Sequence, residues 1–330
     1  MDVSRPVGWG IIGAGRIAAT VAADIARQPD SRLVAIGARD RRRADRFAAD
    51  HGVERAYGSY AELLADPDVD VVHLATTHGQ HHPQALQIIA AGKAVLIEKA
   101  FTLNAIQAAE VAGAARAAGV FCMEAMWLRV NPLIRRAREL VDRGAIGDLV
   151  GVRADLSKRF PYDPAGRLFD LALGGGALLD LGGYTASFAW EFLGRPDTVT
   201  ATGALAPTGS DLTVATQWGY SDGRVAQLYC SAAADSPAGG LIYGTAGWIE
   251  VGPRIHHPAH LTVHTAAGTQ TIPAPPESGN GYGPELDEVV RCLRAGLPES
   301  PLIPLDDTVG ILDTLDRARA QLGVRYPGEG

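Results

Sequence analysis

The chain has 330 residues, a net charge of −7, 47% hydrophobic and 20% charged residues; this is the balance of a soluble protein long enough for two domains. The negative charge argues against non-specific binding to nucleic acid or anionic membranes, and no apolar run approaches the roughly 18 residues of a membrane span. Three scattered cysteines, Cys122, Cys230 and Cys292, form no CxxC pattern and fit a reducing compartment. The opening MDVSRPVGWGIIGAG has no signal-peptide core, so a cytoplasmic location is expected.

In the first half, VGWGII (7–12), LVAIGA (33–38), VVHLAT (71–76), AVLIE (94–98) and VFCMEA (120–125) read as strands. Segments with three- and four-residue apolar spacing lie between them, such as Ile17, Val21 and Ile25. This alternation predicts a parallel sheet with helices on both faces and ligands beyond the carboxyl ends of its strands.

GAGRIA follows the first strand. Gly13 permits the tight turn, Gly15 lets a pyrophosphate approach the backbone, and Ala18 lets the helix lie close. Arg16 and Ile17 open that helix, whose unpaired N–H groups face the phosphates. Where an NAD-preferring fold carries an acidic residue, the second strand ends in Ala38, and Arg39 and Arg43 lie just beyond. An arginine there matches a 2′-phosphate and predicts NADP. Asp40 keeps NAD as the alternative, and the run Arg41–Arg43 also reads as a solvated helix start.

The second half alternates polar and apolar residues over 147–157, 198–205, 212–220, 224–232, 240–251 and 260–272. It reads as an α+β domain with a mostly antiparallel sheet, one face of which is left for a partner. A helix over 174–194 interrupts it and is apolar nearly all round, hence buried. Asp180 sits in it, with Tyr184 four residues on and so on the same face. Gly182 and Gly183 between them read as a close approach of something large. Glu98 and Lys99 end a buried strand where nicotinamide should lie, and a buried charge needs a partner. Asp180 can pair with Lys99, and a lysine near a phenol lowers its pKa, so that Tyr184 can exchange a proton at neutral pH. The alternatives are a satisfied strand-end lysine and a packed core tyrosine.

GIIGAGRIA, HGQHHPQAL, VLIEKA, MEAMWLRVNP, RGAIGDL and LGGGALLDLGGY together resemble the glucose-fructose oxidoreductase/inositol dehydrogenase (Gfo/Idh/MocA) family, in its branch of dimeric dihydrodiol dehydrogenases and NADP-dependent xylose dehydrogenases. The tail ESPLIPLDDTVGILDTLDRARAQLGVRYP extends the resemblance over nearly the whole chain. It implies a Rossmann domain (5–126) and a substrate and dimerisation domain (127–330) with an open sheet, whose C-terminal helix can pack back on the first. It further implies a homodimer, Tyr184 as acid/base, and Lys99 and Asp180 in support. Thr76 and His81 match the family's TPNxxH turn, with His78 in place of its asparagine, beside Glu98 and Lys99 at the cofactor. The family's EKP is EKA here, with Ala100 replacing a proline that tolerates a cis bond.

Trp127 and Arg129, just past the sixth strand, offer an aromatic wall and a guanidinium for a sugar or cyclic diol; packing is their alternative role. Arg167 and Phe169 are further pocket candidates. HHPAH (256–260) and HGQHH (78–82) lack a carboxylate or cysteine at ligand spacing, so no metal is expected. The expected activity is an NADP-dependent hydride transfer on a secondary alcohol or hemiacetal of a polyol, aldose or diol. The alternative is a cofactor-binding protein with little or no catalysis.

Overall fold

A short, wholly apolar run belongs in a sheet covered on both faces, and Val7–Ile12 (β1) is buried along its entire length. It lies at the centre of a parallel sheet in the computed structural model, which describes residues 5–276 and 279–329. The other strands of this sheet are Ser31–Gly37 (β2), Arg55–Tyr57 (β3), Val71–Leu74 (β4), Ala94–Glu98 (β5) and Cys122–Ala125 (β6). Their order is β3-β2-β1-β4-β5-β6. The chain turns outward in opposite directions on either side of β1, which makes the gap between β1 and β4 the switch point where ligands enter such sheets. The unit built on this sheet comprises residues 5–102, 106–125 and 279–308. Its late helix, Gly283–Arg294, follows a turn tied to the helix Arg16–Ile25: buried Asp24 accepts the N–H groups of Asn280 (2.9 Å) and Tyr282 (3.1 Å).

The second unit comprises 103–105, 126–276 and 309–329. Its strands are Leu149–Ser157 (β7), Thr198–Leu205 (β8), Asp211–Gly219 (β9), Val225–Ser231 (β10), Gly240–Gly244 (β11), Gly247–Val251 (β12), His260–Thr265 (β13) and Gly268–Pro273 (β14). They run in the order β14-β13-β12-β11-β7-β10-β9-β8. Only β7 and β10 pair in parallel; the rest of this sheet is antiparallel, as the alternating sequence predicts. The helix Gly183–Leu193, every residue of which is buried, packs on β7 and β10. Val150, Val225, Tyr229, Tyr243 and Trp248 are exposed. Val225, Tyr243 and Trp248 fall in one cross-strand row through Gly151, and Trp248 stacks on His264 at 4.5 Å.

The segment 174–194 departs from the single regular helix that its composition predicts. Leu178–Gly182 forms a π-helical turn, which runs into the α-helix Gly183–Leu193. A π turn carries an extra residue per turn, so Asp180 and Tyr184 are not stacked as four-residue spacing in an α-helix would stack them. Nothing foreign is needed to explain Gly182: a Cβ there would come within about 3 Å of the Leu178 side chain and the Cys230 Sγ, whereas one on Gly183 would meet nothing within 4 Å. Among the described residues, no helix is long and apolar enough to cross a membrane, and the three cysteines are buried and free.

Candidate active site

The glycine turn stands at the end of β1. Gly13 has φ +103°, and a Cβ would lie 2.7 Å from the Ala75 carbonyl oxygen, so only glycine fits without strain. Arg16 and Ile17 open the helix Arg16–Ile25, whose N-cap Gly15 supplies no side-chain acceptor and whose first turn holds no carboxylate. Its N–H groups are thus left for an anion. Ala18 is fully buried against the sheet. At the end of β2, Ala38 is buried and Arg39 exposed. Asp40 caps the helix Arg41–His51, its carboxylate accepting the Arg42 N–H at 2.9 Å. Arg41 pairs with Asp45, while Arg43 donates to the Ala14 carbonyl of the glycine turn at 3.2 Å. This turn, uncapped helix and exposed arginine fit a nicotinamide dinucleotide.

β5 delivers Glu98 and Lys99. The Glu98 carboxylate lies 3.0 Å from the Nε2 of His73, a fully buried residue of neighbouring β4, and this is the partner that its burial requires. Lys99 is half-buried, and the Lys99–Ala100 peptide is cis. Two histidines hold this backbone. His78 Nε2 lies 3.2 Å from the Lys99 carbonyl, and His81 Nδ1 lies 2.8 Å from the Ala100 carbonyl. His81 also reaches the Thr76 carbonyl through Nε2 at 3.1 Å. Burial pulls the His81 pKa below its ordinary value, against the upward pull of those carbonyls. Thr76 donates its hydroxyl to Gln84 at 2.7 Å.

In the second unit, Tyr184 occupies the first turn of the helix Gly183–Leu193 and is 8% exposed. Trp127 starts a 3₁₀ turn, Trp127–Val130, and its Nε1 donates to the Tyr184 hydroxyl at 2.9 Å. His256 lies against both rings, 4.9 Å from that of Tyr184 and 5.4 Å from that of Trp127, and His257 stacks on Trp127 at 5.3 Å. Asp180 is 3% exposed and takes Arg167 as a bidentate partner at 3.0 and 3.3 Å. Phe169 is buried with Leu168 and Ala206 and meets Tyr162 edge-on. Arg129 is buried and donates to Glu191 at 2.9 Å. No group of three metal-ligating side chains occurs among the described residues.

Sequence reasoning missed Asp211, at the start of β9. Its Oδ2 accepts the Leu178 N–H at 2.5 Å and so ties down the turn that carries Asp180. Gly176 leaves room for it: φ is +139°, and a Cβ would lie 2.3 Å from Oδ1. Burial pushes the Asp211 carboxyl up to about 6, against the backbone N–H donors that favour its charged form. Oδ1 has no hydrogen-bond partner among the described residues. Its only signal in the sequence is a polar residue at a strand boundary.

A sheet in this order, with a glycine turn and an uncapped helix beyond its central strand, defines a dinucleotide-binding fold. The model of the GFO/IDH/MocA oxidoreductase family, NAD-binding Rossmann fold, matches residues 7–126, and that of the GFO/IDH/MocA C-terminal domain matches 134–250. The chain belongs to this family and is an NAD(P)-dependent oxidoreductase. It is 37% identical over 331 residues to the trans-1,2-dihydrobenzene-1,2-diol dehydrogenase of Mus musculus, covering 97% of this chain and 98% of that one. It is 38% identical to the enzyme of the same name from Xenopus laevis, over 97% and 99%. The crystal structure of an aldose-aldose oxidoreductase from Caulobacter crescentus superposes with a TM-score of 0.88 at 22% identity, covering 97% and 98%, a likeness of fold.

Proposed function

We propose that the chain is an NADP(H)-dependent dehydrogenase acting on a secondary alcohol or hemiacetal of a sugar or cyclic diol, with Tyr184 as acid/base and Lys99 and Asp180 in support. The observation that carries this reading is Tyr184 itself: a buried phenol whose oxygen is already held by an N–H donor. The names of the dihydrodiol dehydrogenases support the diol class. Bound nicotinamide supplies the hydride acceptor at C4. In the oxidation direction, the Tyr184 phenolate takes the proton of the substrate hydroxyl as the carbinol C–H leaves as hydride, and the carbinol becomes a carbonyl. In this reading the Lys99 ammonium is the cation that favours the phenolate. Arg39 and Arg43 match the 2′-phosphate, and the helix Arg16–Ile25 offers its N–H groups to the pyrophosphate.

Tyr184→Phe keeps the ring and removes the hydroxyl. Turnover on the best of a panel of aldoses, cyclitols and diols is expected to fall by roughly 10²–10⁴, with NADPH binding unchanged by fluorescence titration. Near-normal turnover of this variant would show that the phenol does no chemistry, and a chain that binds NADPH but turns over no member of the panel would favour a binding protein.

A further inference from the structure

Trp127 enters the sequence reading as a wall for the substrate, yet its indole does something more specific. Nε1–H is a donor with no acceptor capacity, so the 2.9 Å contact with Tyr184 has one possible direction: the phenol oxygen accepts. One lone pair of that oxygen is thereby occupied and the rotation of the hydroxyl is restricted, so its own proton points away from the indole. When the proton leaves, the same N–H remains and meets a full negative charge; a hydrogen bond to an ionised group is roughly twice as strong as one to a neutral group. The indole is itself held. Trp127 is 6% exposed, its ring is stacked on His257 at an interplanar angle of 13°, and His256 lies against both its ring and that of Tyr184.

We propose that Trp127 is a positioning residue for the acid/base tyrosine: it fixes the direction of the Tyr184 O–H and stabilises the phenolate through Nε1–H, with His256 and His257 holding the indole in place. This rests on the reading of Tyr184 as the acid/base. His256 and His257, on the loop before β13, lie against the rings of the pair, and the π turn that leads into the helix of Tyr184 carries Asp180 with its Arg167 partner and lies beside Cys230 and Asp211. Trp127 donates directly to the phenol oxygen.

The test is the pH dependence of kcat in Trp127→Phe, which keeps an aromatic ring between His256 and His257 and removes the N–H. The pH of half-maximal kcat for alcohol oxidation is expected to move up by about one to two units, and kcat at neutral pH to fall roughly ten- to a hundredfold, with KM changed less than threefold, on the order expected when transition-state stabilisation alone is lost. A Trp127→Phe variant with an unmoved pH profile and a raised KM overturns the proposal and leaves Trp127 as a substrate wall. Should the variant not fold, the tyrosinate absorbance step of Tyr184, taken as Lys99→Met minus Lys99→Met/Tyr184→Phe, decides: a step below about 10 supports the indole's role, and a step at or above it overturns it. The two readings fail separately. An active Tyr184→Phe removes the acid/base assignment itself, while an inactive Tyr184→Phe beside an unshifted Trp127→Phe profile removes only the role of the indole.

Discussion

Asp211→Asn isolates one buried proton. The native carboxyl titrates at about 6, against an ordinary 3.8, because burial outweighs the N–H donors of Leu178 and Ala177 and the distant charge of Arg319. An acid whose folded pKa is raised holds its proton more tightly in the native state. Its stabilising contribution is therefore complete below 3.8 and is lost as pH rises through about 6. The interval from 3.8 to about 6, at about 1.4 kcal/mol per pH unit, corresponds to about 3 kcal/mol. Asparagine keeps the shape and an acceptor for the Leu178 N–H and cannot ionise. The stability of the native protein minus that of Asp211→Asn is thus expected to fall by about 3 kcal/mol from acid to neutral pH, most of it between pH 4 and pH 7. Constant effects of the substitution cancel from this difference. Urea denaturation followed by circular dichroism at several pH values measures it. A difference that stays level across that range would refute the reasoning, because the carboxyl would then have the same proton affinity folded and unfolded.

Other expectations follow from the same geometry. Arg39→Ala should weaken NADP(H) roughly ten- to a hundredfold, the loss of a bond to a charged group, and leave NAD(H) nearly untouched; fluorescence titration showing equal losses would contradict a 2′-phosphate contact. Glu191→Ala removes a buried carboxylate to which both Arg129 and Arg135 donate. It should cost about 3–5 kcal/mol in urea denaturation, most of which Arg129→Met should restore in the double variant, and an additive double variant speaks against the pair. The exposed row of Val225, Tyr243 and Trp248 predicts a homodimer through this sheet face: light scattering should give twice the chain mass, falling to one on Trp248→Glu, and a monomeric native protein rules this out.

Much of the fold was legible because two kinds of strand leave different marks. β1 and β5 are covered on both faces and read as unbroken apolar runs; β10 alternates, with Ala226, Leu228 and Cys230 buried and Val225, Gln227 and Tyr229 exposed. β3 escaped notice: it is three half-buried residues, Arg55–Tyr57, too short for any period to show. The π turn escaped because composition records how apolar a segment is and not which carbonyl each N–H finds. Individual candidate residues could be named from motifs, but their partners could not. The pairings of Glu98 with His73, Asp180 with Arg167 and Tyr184 with Trp127 join residues 25, 13 and 57 positions apart. HHPAH carries no mark of its packing in the sequence, since stacking of His256 and His257 on an indole more than a hundred residues earlier leaves no periodic trace.

The nucleotide-binding sheet is finished late in the chain. Cys122 at the start of β6 donates its N–H to the Pro298 carbonyl, and Glu124 in the same strand accepts the Thr308 hydroxyl at 3.0 Å, across 184 positions. The whole eight-stranded sheet is synthesised between those partners. A nascent chain emerging from the ribosome at about 5–20 residues per second therefore spends on the order of ten seconds or more with β6 made and its last partners not yet translated. Contacts of such sequence separation close slowly. The first half to be translated is thus completed only once residues 298–308 have been made, and until then the edge at β6 lacks both of these bonds.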